Sequence, residues 1–292
     1  MQRPILATQS DYGTADGRAA ALSGNILKIA PEADIYSVLD LYISFIAAVS
    51  SDRVQLVKLY PEGDALNAGG MIYSVLPFFP EGTVYVSVVE DHTNPSRAVA
   101  LKTKCGRYIV APDNGTVTAW LNVFGAEKAV ALDEGRAPAG ISTYAYCGAK
   151  LAQGVDIASL GSEIAIAELN VFNMRESAVK DGFVECGLFS VLKNFGNLNL
   201  NVRIDEFANA NIAFGDAVRL TLTHNGEKRF EAETTYERSF GYVEFGKSVL
   251  FNGSSGYMGM GLNQKSFAAA YIPEALLPGA DISGYIMTIE RI

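Results

Sequence analysis

The chain has 292 residues, 49% of them hydrophobic and 19% charged, with a formal net charge of −9. That composition suits a globular protein of one large or two medium domains, and the acidic balance argues against nucleic acid or an anionic membrane as the main partner. Two histidines, His92 and His224, argue against a metal site built on several imidazoles, and three cysteines, Cys105, Cys147 and Cys186, fit neither a metal motif nor a closed disulfide framework.

The opening residues Met1-Gln2-Arg3-Pro4-Ile5-Leu6 hold no long apolar run of the leader type. The most apolar stretch, Leu39 to Val49, is too short to span a bilayer and contains Asp40. The expectation is a cytoplasmic protein with reduced, buried thiols and no membrane partner.

Ile5 to Thr8 reads as a strand, followed by the polar loop Ser10-Asp11-Tyr12-Gly13-Thr14-Ala15-Asp16 and a helix from Gly17 to Ile29. Ala33 to Leu39 reads as a second strand, and Asp40 to Leu59 is ambiguous between helix and strand. Ala68 to Leu76 reads as a helix stopped by Pro77. Thr83 to Val89 is continuous and β-branched, as a buried central strand would be. Arg107 to Ala111 is another strand, ended by Pro112-Asp113-Asn114-Gly115, and Thr116 to Val123 is a helix with Trp120 on its core side. Alternating strands and helices predict a sheet covered by helices.

The pattern changes near residue 165. Short β-rich runs follow at Glu168–Phe172, Gly187–Leu192, Leu198–Ile204, Ala217–Thr223, Phe230–Thr235, Tyr257–Met260 and Tyr285–Ile289. Asn225-Gly226 is a strong hairpin signal. The expected organisation is an α/β domain over 1–165, with a Rossmann-like sheet, and an all-β barrel or sandwich over 166–292.

Asp11 and Asp16 follow the first strand, at the sheet edge where open α/β sheets hold ligands. A carboxylate there can take both hydrogen bonds of a ribose diol or pair with an ammonium group. The central strand delivers Glu90-Asp91-His92-Thr93-Asn94-Pro95-Ser96-Arg97. Ala111-Pro112-Asp113-Asn114-Gly115 comes next, and Phe195-Gly196-Asn197-Leu198-Asn199 and Ser254-Ser255-Gly256-Tyr257 come much later. There is no Gly-x-Gly-x-x-Gly after the first strand, no P-loop and no Gly-x-Ser-x-Gly elbow.

A Ser-Asp-x-Gly-Thr loop, Phe-Pro-x-Gly-Thr-Val, a strand ending in an acidic residue with Arg seven positions on, Ala-Pro-Asp-Asn-Gly and Phe-Gly-Asn occur here in that order. The order resembles the family of S-adenosyl-L-methionine (SAM) hydroxide adenosyltransferases, fluorinases and chlorinases. The resemblance runs from residue 4 to the C-terminus and is densest at 4–35, 78–125, 187–202 and 251–272. It implies SAM or adenosine as ligand, no cofactor and no metal, and a homotrimer with the site at a subunit interface. It also implies attack of water or halide on the ribose 5′ carbon, with methionine leaving. By residue, it implies that Asp11 holds the ribose and Asp16 lies near the methionine amino group. Thr93 falls in the nucleophile loop, Asn197 meets the adenine, and Ser254 falls where the methionine carboxylate is bound.

The chain departs from that pattern at several positions. Glu90 stands where hydrolases have an Asp, a change of roughly 1.5 Å in reach; Arg97 keeps the matching spacing. The segment that supplies the hydrolase histidine has no match, because Ile141-Ser142-Thr143-Tyr144 runs directly into Ala145-Tyr146-Cys147. Lys193 replaces an Asp, Asp91-His92-Thr93-Asn94 replaces a glycine-rich run, and Asn199 takes the halogenases' Trp position. His92, two residues from Glu90, is a candidate substitute base as well as a candidate plain loop residue. Arg97 is either part of the reacting set or a structural partner of Glu90. Three functions follow: SAM hydrolysis with Glu90, His92 and Arg97 as catalytic set; adenosyl or nucleoside binding without turnover; or a changed reaction on another substrate.

Overall fold

The computed structural model describes residues 3–12, 17–38, 63–193, 195–277 and 280–292. Asp16 and the stretch 40–59 lie outside the described residues. The chain divides into two compact units, Met1–Phe172 and Asn173–Ile292. The boundary expected at residue 165 lies within the first of them.

The first unit is built on a seven-stranded sheet of order β2-β1-β3-β5-β4-β6-β7. Its elements are β1 (Ile5–Ser10), α1 (Arg18–Ile29), β2 (Asp34–Ser37), α2 (Ala65–Val75), β3 (Val84–Val88), β4 (Ala98–Thr103), β5 (Tyr108–Pro112), α3 (Thr118–Phe124), β6 (Ala126–Leu132), α4 (Thr143–Ala152) and β7 (Gly161–Ile164). Strands β2, β1, β3 and β5 run parallel, and β4, β6 and β7 add antiparallel pairings. Period-two alternation sends Leu6, Val84, Val86 and Val110 into one core with Leu22 and Ile26 of α1 and Ala145 and Leu151 of α4. It sends Ala7, Tyr85, Val99 and Ile109 into another, with Ile72 of α2 and Trp120 of α3. Both faces are therefore covered, which is why Thr83–Val89 is apolar without interruption.

Two features of the sequence reading change in this unit. β4, β6 and β7 were not foreseen: the alanines and lysines of β4 and β6 are poor strand formers that burial in the sheet makes acceptable, and the Gly-Ser-Glu-Ile of β7 lies unburied at the sheet border with no strand pattern of its own. Glu168–Phe172 is not a strand. Its backbone is tied by side chains instead of a ladder: Asn170 N donates to Asp113 Oδ1 at 2.7 Å, and Phe172 N donates to Thr118 Oγ1 at 2.9 Å.

The second unit contains β8 (Ala178–Lys180), β9 (Phe183–Leu192), β10 (Asn197–Arg203), β11 (Ala217–His224), β12 (Glu227–Glu237), β13 (Ser248–Asn252), β14 (Tyr257–Leu262) and β15 (Tyr285–Arg291). The strands follow one another as β10-β14-β13-β12-β11-β15-β9, and a β9–β10 pairing closes the ring. The domain is thus a closed barrel of seven strands, with β8 as a short addition on β9. β9 serves three partners because its ten residues are divided, with 183–187 facing β15 and 188–192 facing β10. Asn225 and Gly226 both have positive φ, 51° and 86°, as a two-residue hairpin turn between β11 and β12 requires.

Cys147 and Cys186 are buried and Cys105 half-buried, all as free thiols. Burial pushes both the Cys147 and Cys186 thiols up to about 12, so neither is a nucleophile at neutral pH. Among the described residues, no helix is long and apolar enough to cross a membrane.

Candidate functional site

The chain leaves β1 toward β2 on one side, and β3 returns on the other. The gap beyond the C-terminal ends of β1 and β3 is therefore a topological switch point. Asp11 N donates to Val88 O at 3.2 Å, so the two strand ends deliver Asp11 and Glu90 side by side. The Asp11 carboxylate is wholly buried. Its Oδ2 accepts Gly63 N at 3.0 Å and Glu90 N at 3.2 Å, and its Oδ1 lies 3.1 Å from His92 Nε2. The His92 ring stacks on Tyr12 at 5.4 Å between centroids, and the Arg18 guanidinium lies 4.9 Å from the centre of the Tyr12 ring.

Glu90 is buried, and its Oε2 has no hydrogen-bond partner among the described residues. Burial raises the Glu90 carboxyl above its ordinary value. Hydrogen bonding from the Tyr144 hydroxyl, the positive field of His92 and the Ser96 N–H pull it down, and the Asp11 charge pushes it up. Tyr144, in the first turn of α4, is raised in turn by burial and by Glu90. Tyr12 is raised by burial, Asp11 and Glu90, and lowered by Arg18. Asp11, Tyr12, Glu90, His92 and Tyr144 therefore form one electrostatic cluster.

The loop after β3 is fixed by Asp91, whose Oδ1 accepts Thr93 N at 2.9 Å and Thr93 Oγ1 at 2.6 Å. Thr93 is exposed, with its hydroxyl hydrogen committed to that turn. Asn114 Nδ2 donates to Val89 O at 2.9 Å, holding the loop after β5 against the Glu90 strand end. Arg97 is not the partner of Glu90. Its Nε donates to Asp113 Oδ2 at 2.7 Å and its Nη2 to Glu168 O at 2.9 Å.

In the barrel, Asn197 and Asn199 lie two apart on β10 and share one face. Asn199 Nδ2 donates to Ser190 Oγ at 2.9 Å. Asn197 Oδ1 lies 2.4 Å from where a Cβ on Gly261 would stand, so a larger residue there on β14 would displace the Asn197 side chain. Ser254 is exposed in the turn joining β13 and β14. Lys193 Nζ donates to Leu277 O at 2.9 Å. Of the expected residues, Asp11, Glu90 and His92 come together in the first unit and Asn197 and Asn199 in the second. Tyr144 and Tyr12 were not foreseen. Tyr12 lay inside the first motif, and Tyr144 lay in the segment that matches no family histidine, so position was the only available signal for either.

Known proteins give the same reading of the fold. The model of the SAM hydroxide adenosyltransferase N-terminal domain matches residues 6–161, and that of the C-terminal domain matches 191–273. An (R)-S-adenosyl-L-methionine hydrolase of Thermus thermophilus is 28% identical over 250 residues, covering 78% of this chain and 89% of the relative. A hydrolase of the same name from Methanocaldococcus jannaschii is 24% identical over 75% of this chain and 74% of its own. A fluorinase of Actinopolyspora mzabensis is 24% identical over 92% and 94%. A crystal structure of an uncharacterized conserved protein from Thermotoga maritima superposes with a TM-score of 0.74 at 22% identity, over 98% of this chain and 100% of that one. With both domain models matched in order over most of its length, the chain belongs to the SAM hydroxide adenosyltransferase family.

Proposed function

We propose that the protein hydrolyses SAM at the ribose 5′ carbon, with Glu90 as general base. The observation that carries this reading is the buried Glu90 Oε2, which lacks a partner among the described residues at the switch point of the sheet. A buried carboxyl with a raised pKa and one free oxygen is suited to accept a proton from water. The water oxygen forms the new bond to C5′ while the C5′–sulfur bond breaks. The bonding pair goes to the sulfonium, methionine leaves, and the water proton passes to Glu90, giving adenosine. The sulfonium is already a good leaving group, so the remaining work is to exclude bulk solvent and align water, carbon and sulfur. In this reading Asp11 takes a sugar hydroxyl, Asp16 the methionine amino group, and Thr93, Asn197, Asn199 and Ser254 contact the remainder of the ligand. The functional unit is a homotrimer that completes each site between subunits, and no cofactor or metal takes part.

The test is incubation of the purified protein with SAM, followed by chromatography for adenosine and methionine. Formation of both, lost in Glu90→Gln, supports the reading; tight SAM binding by calorimetry without product removes it. That second outcome is favoured by one feature. Arg97 is committed to Asp113 and His92 to Asp11, so two of the three groups expected to activate water are engaged elsewhere. A nucleoside-binding protein without turnover is therefore the second reading.

A further inference from the structure

A carboxylate has about four lone-pair sites. On Asp11, both sites of Oδ2 accept backbone N–H groups, from Gly63 and Glu90. Those donors are main-chain N–H groups, of Glu90 just past β3 and of Gly63 just before α2, and have less freedom to turn away than a side chain. Oδ1 is therefore the oxygen available to a ligand, and His92 Nε2 already lies 3.1 Å from it. The His92 side chain is 29% exposed while that of Asp11 is fully covered, so the imidazole is the member of the pair with solvent to move into.

We propose that His92 determines specificity at this site. By competing for Asp11 Oδ1 it removes the demand for a complete ribose diol, so the site accepts deoxynucleosides about as well as ribonucleosides. This rests on the nucleoside reading given above. With His92 in place, a ligand hydroxyl that reaches Oδ1 exchanges one hydrogen bond for another, and the net gain is small. With His92 gone, the same hydroxyl satisfies a buried charged oxygen that is otherwise short of a donor, and deleting it carries the full penalty. The substitution that separates these cases is His92→Phe, which keeps an aromatic ring against Tyr12 and drops the nitrogen facing Asp11.

The experiment is calorimetry on the full chain with adenosine, 2′-deoxyadenosine and 3′-deoxyadenosine, for the wild type and for H92F. The expected result is wild-type dissociation constants within about threefold of one another. In H92F, loss of one hydroxyl weakens binding by about tenfold or more, the scale of one hydrogen bond to a charged group. A wild type that already loses tenfold on removal of a hydroxyl overturns the proposal, and so does an H92F protein that discriminates no better than wild type. The wild-type ratios decide the matter even if H92F folds poorly. If adenosine fails to bind the wild type, the nucleoside reading falls and takes this inference with it. Adenosine binding with strong hydroxyl discrimination defeats the inference alone.

Discussion

Arg97 Nε donates to Asp113 Oδ2 at 2.7 Å, and the opposite oxygen of the same carboxylate accepts the backbone N–H of Asn170 at 2.7 Å. Asp113 is fully buried, and Arg97 reaches it from the partly exposed start of β4 while also donating to Glu168 O. The pair ties residues 168–170 to the ends of β4 and β5. Removing the guanidinium leaves a buried carboxylate with one donor fewer, a cost tempered by the solvent that reaches Arg97. Arg97→Ala is expected to lower stability by about 1–3 kcal/mol, seen as an earlier midpoint in urea denaturation. Arg97→Lys recovers only part of this, because a point charge cannot serve both acceptors as a planar fork does.

Glu90→Gln tests the base. Adenosine release is expected to fall by about 10²–10⁴-fold, the usual worth of a positioned general base. Stability should move the other way. Burial holds the folded Glu90 carboxyl above its ordinary 4.5, so the folded state keeps a proton that the unfolded chain has released. That contribution is fully present below the unfolded pKa and is lost as pH rises through the folded one. The glutamine variant should therefore melt above wild type near pH 8, and the two should converge at about pH 4, in scanning calorimetry.

Tyr144→Phe removes the hydroxyl that favours the charged form of Glu90. The Glu90 pKa should rise further, and the ascending limb of the pH–rate profile for adenosine release should move to higher pH. A purely structural role for the hydroxyl would lower stability by about 1 kcal/mol and leave that limb in place. An NMR titration of the Glu90 side-chain carboxyl reads the same shift directly.

Gly196→Ala probes the turn that presents Asn197. Gly196 has φ +71°, and a Cβ there would lie 1.9 Å from Ser266 Oγ and 2.8 Å from the Ser266 Cα. A left-handed backbone and a backbone clash both resist the methyl group, so a loss of about 1–3 kcal/mol is expected. Thermal unfolding followed by circular dichroism measures it, and adenosine affinity should weaken together with the displaced Asn197.

The residues explain what was readable in advance. Thr83–Val89 announced a central strand because covering on both faces demands an unbroken apolar run, and Asn225-Gly226 announced a turn because few residue pairs accept positive φ twice. Ala98–Thr103 and Ala126–Leu132 carried no such mark, since alanine becomes a strand residue only when neighbouring strands bury it. At the site, Asp11 and Glu90 were visible because strand ends fix where they emerge. The partner of Arg97 was not visible, because Asp113 and the backbone of Glu168 reach it only through the fold, 16 and 71 residues away in sequence. Tyr144 was hidden for the same reason: its approach to Glu90 depends on how α4 packs against β3.

Because β9 and β10 pair with each other, neither of them ends the barrel as an open border on which a foreign strand could dock. Among the described residues, β8 adds three residues to β9, β12 meets β13 at Tyr236 and Glu237 alone, and the sheet of the first unit ends on β2 and β7, four residues each. Among the described residues, strand-to-strand association between stressed molecules therefore has openings at β2 and β7 and along β12 before Tyr236, so both halves of the chain carry one.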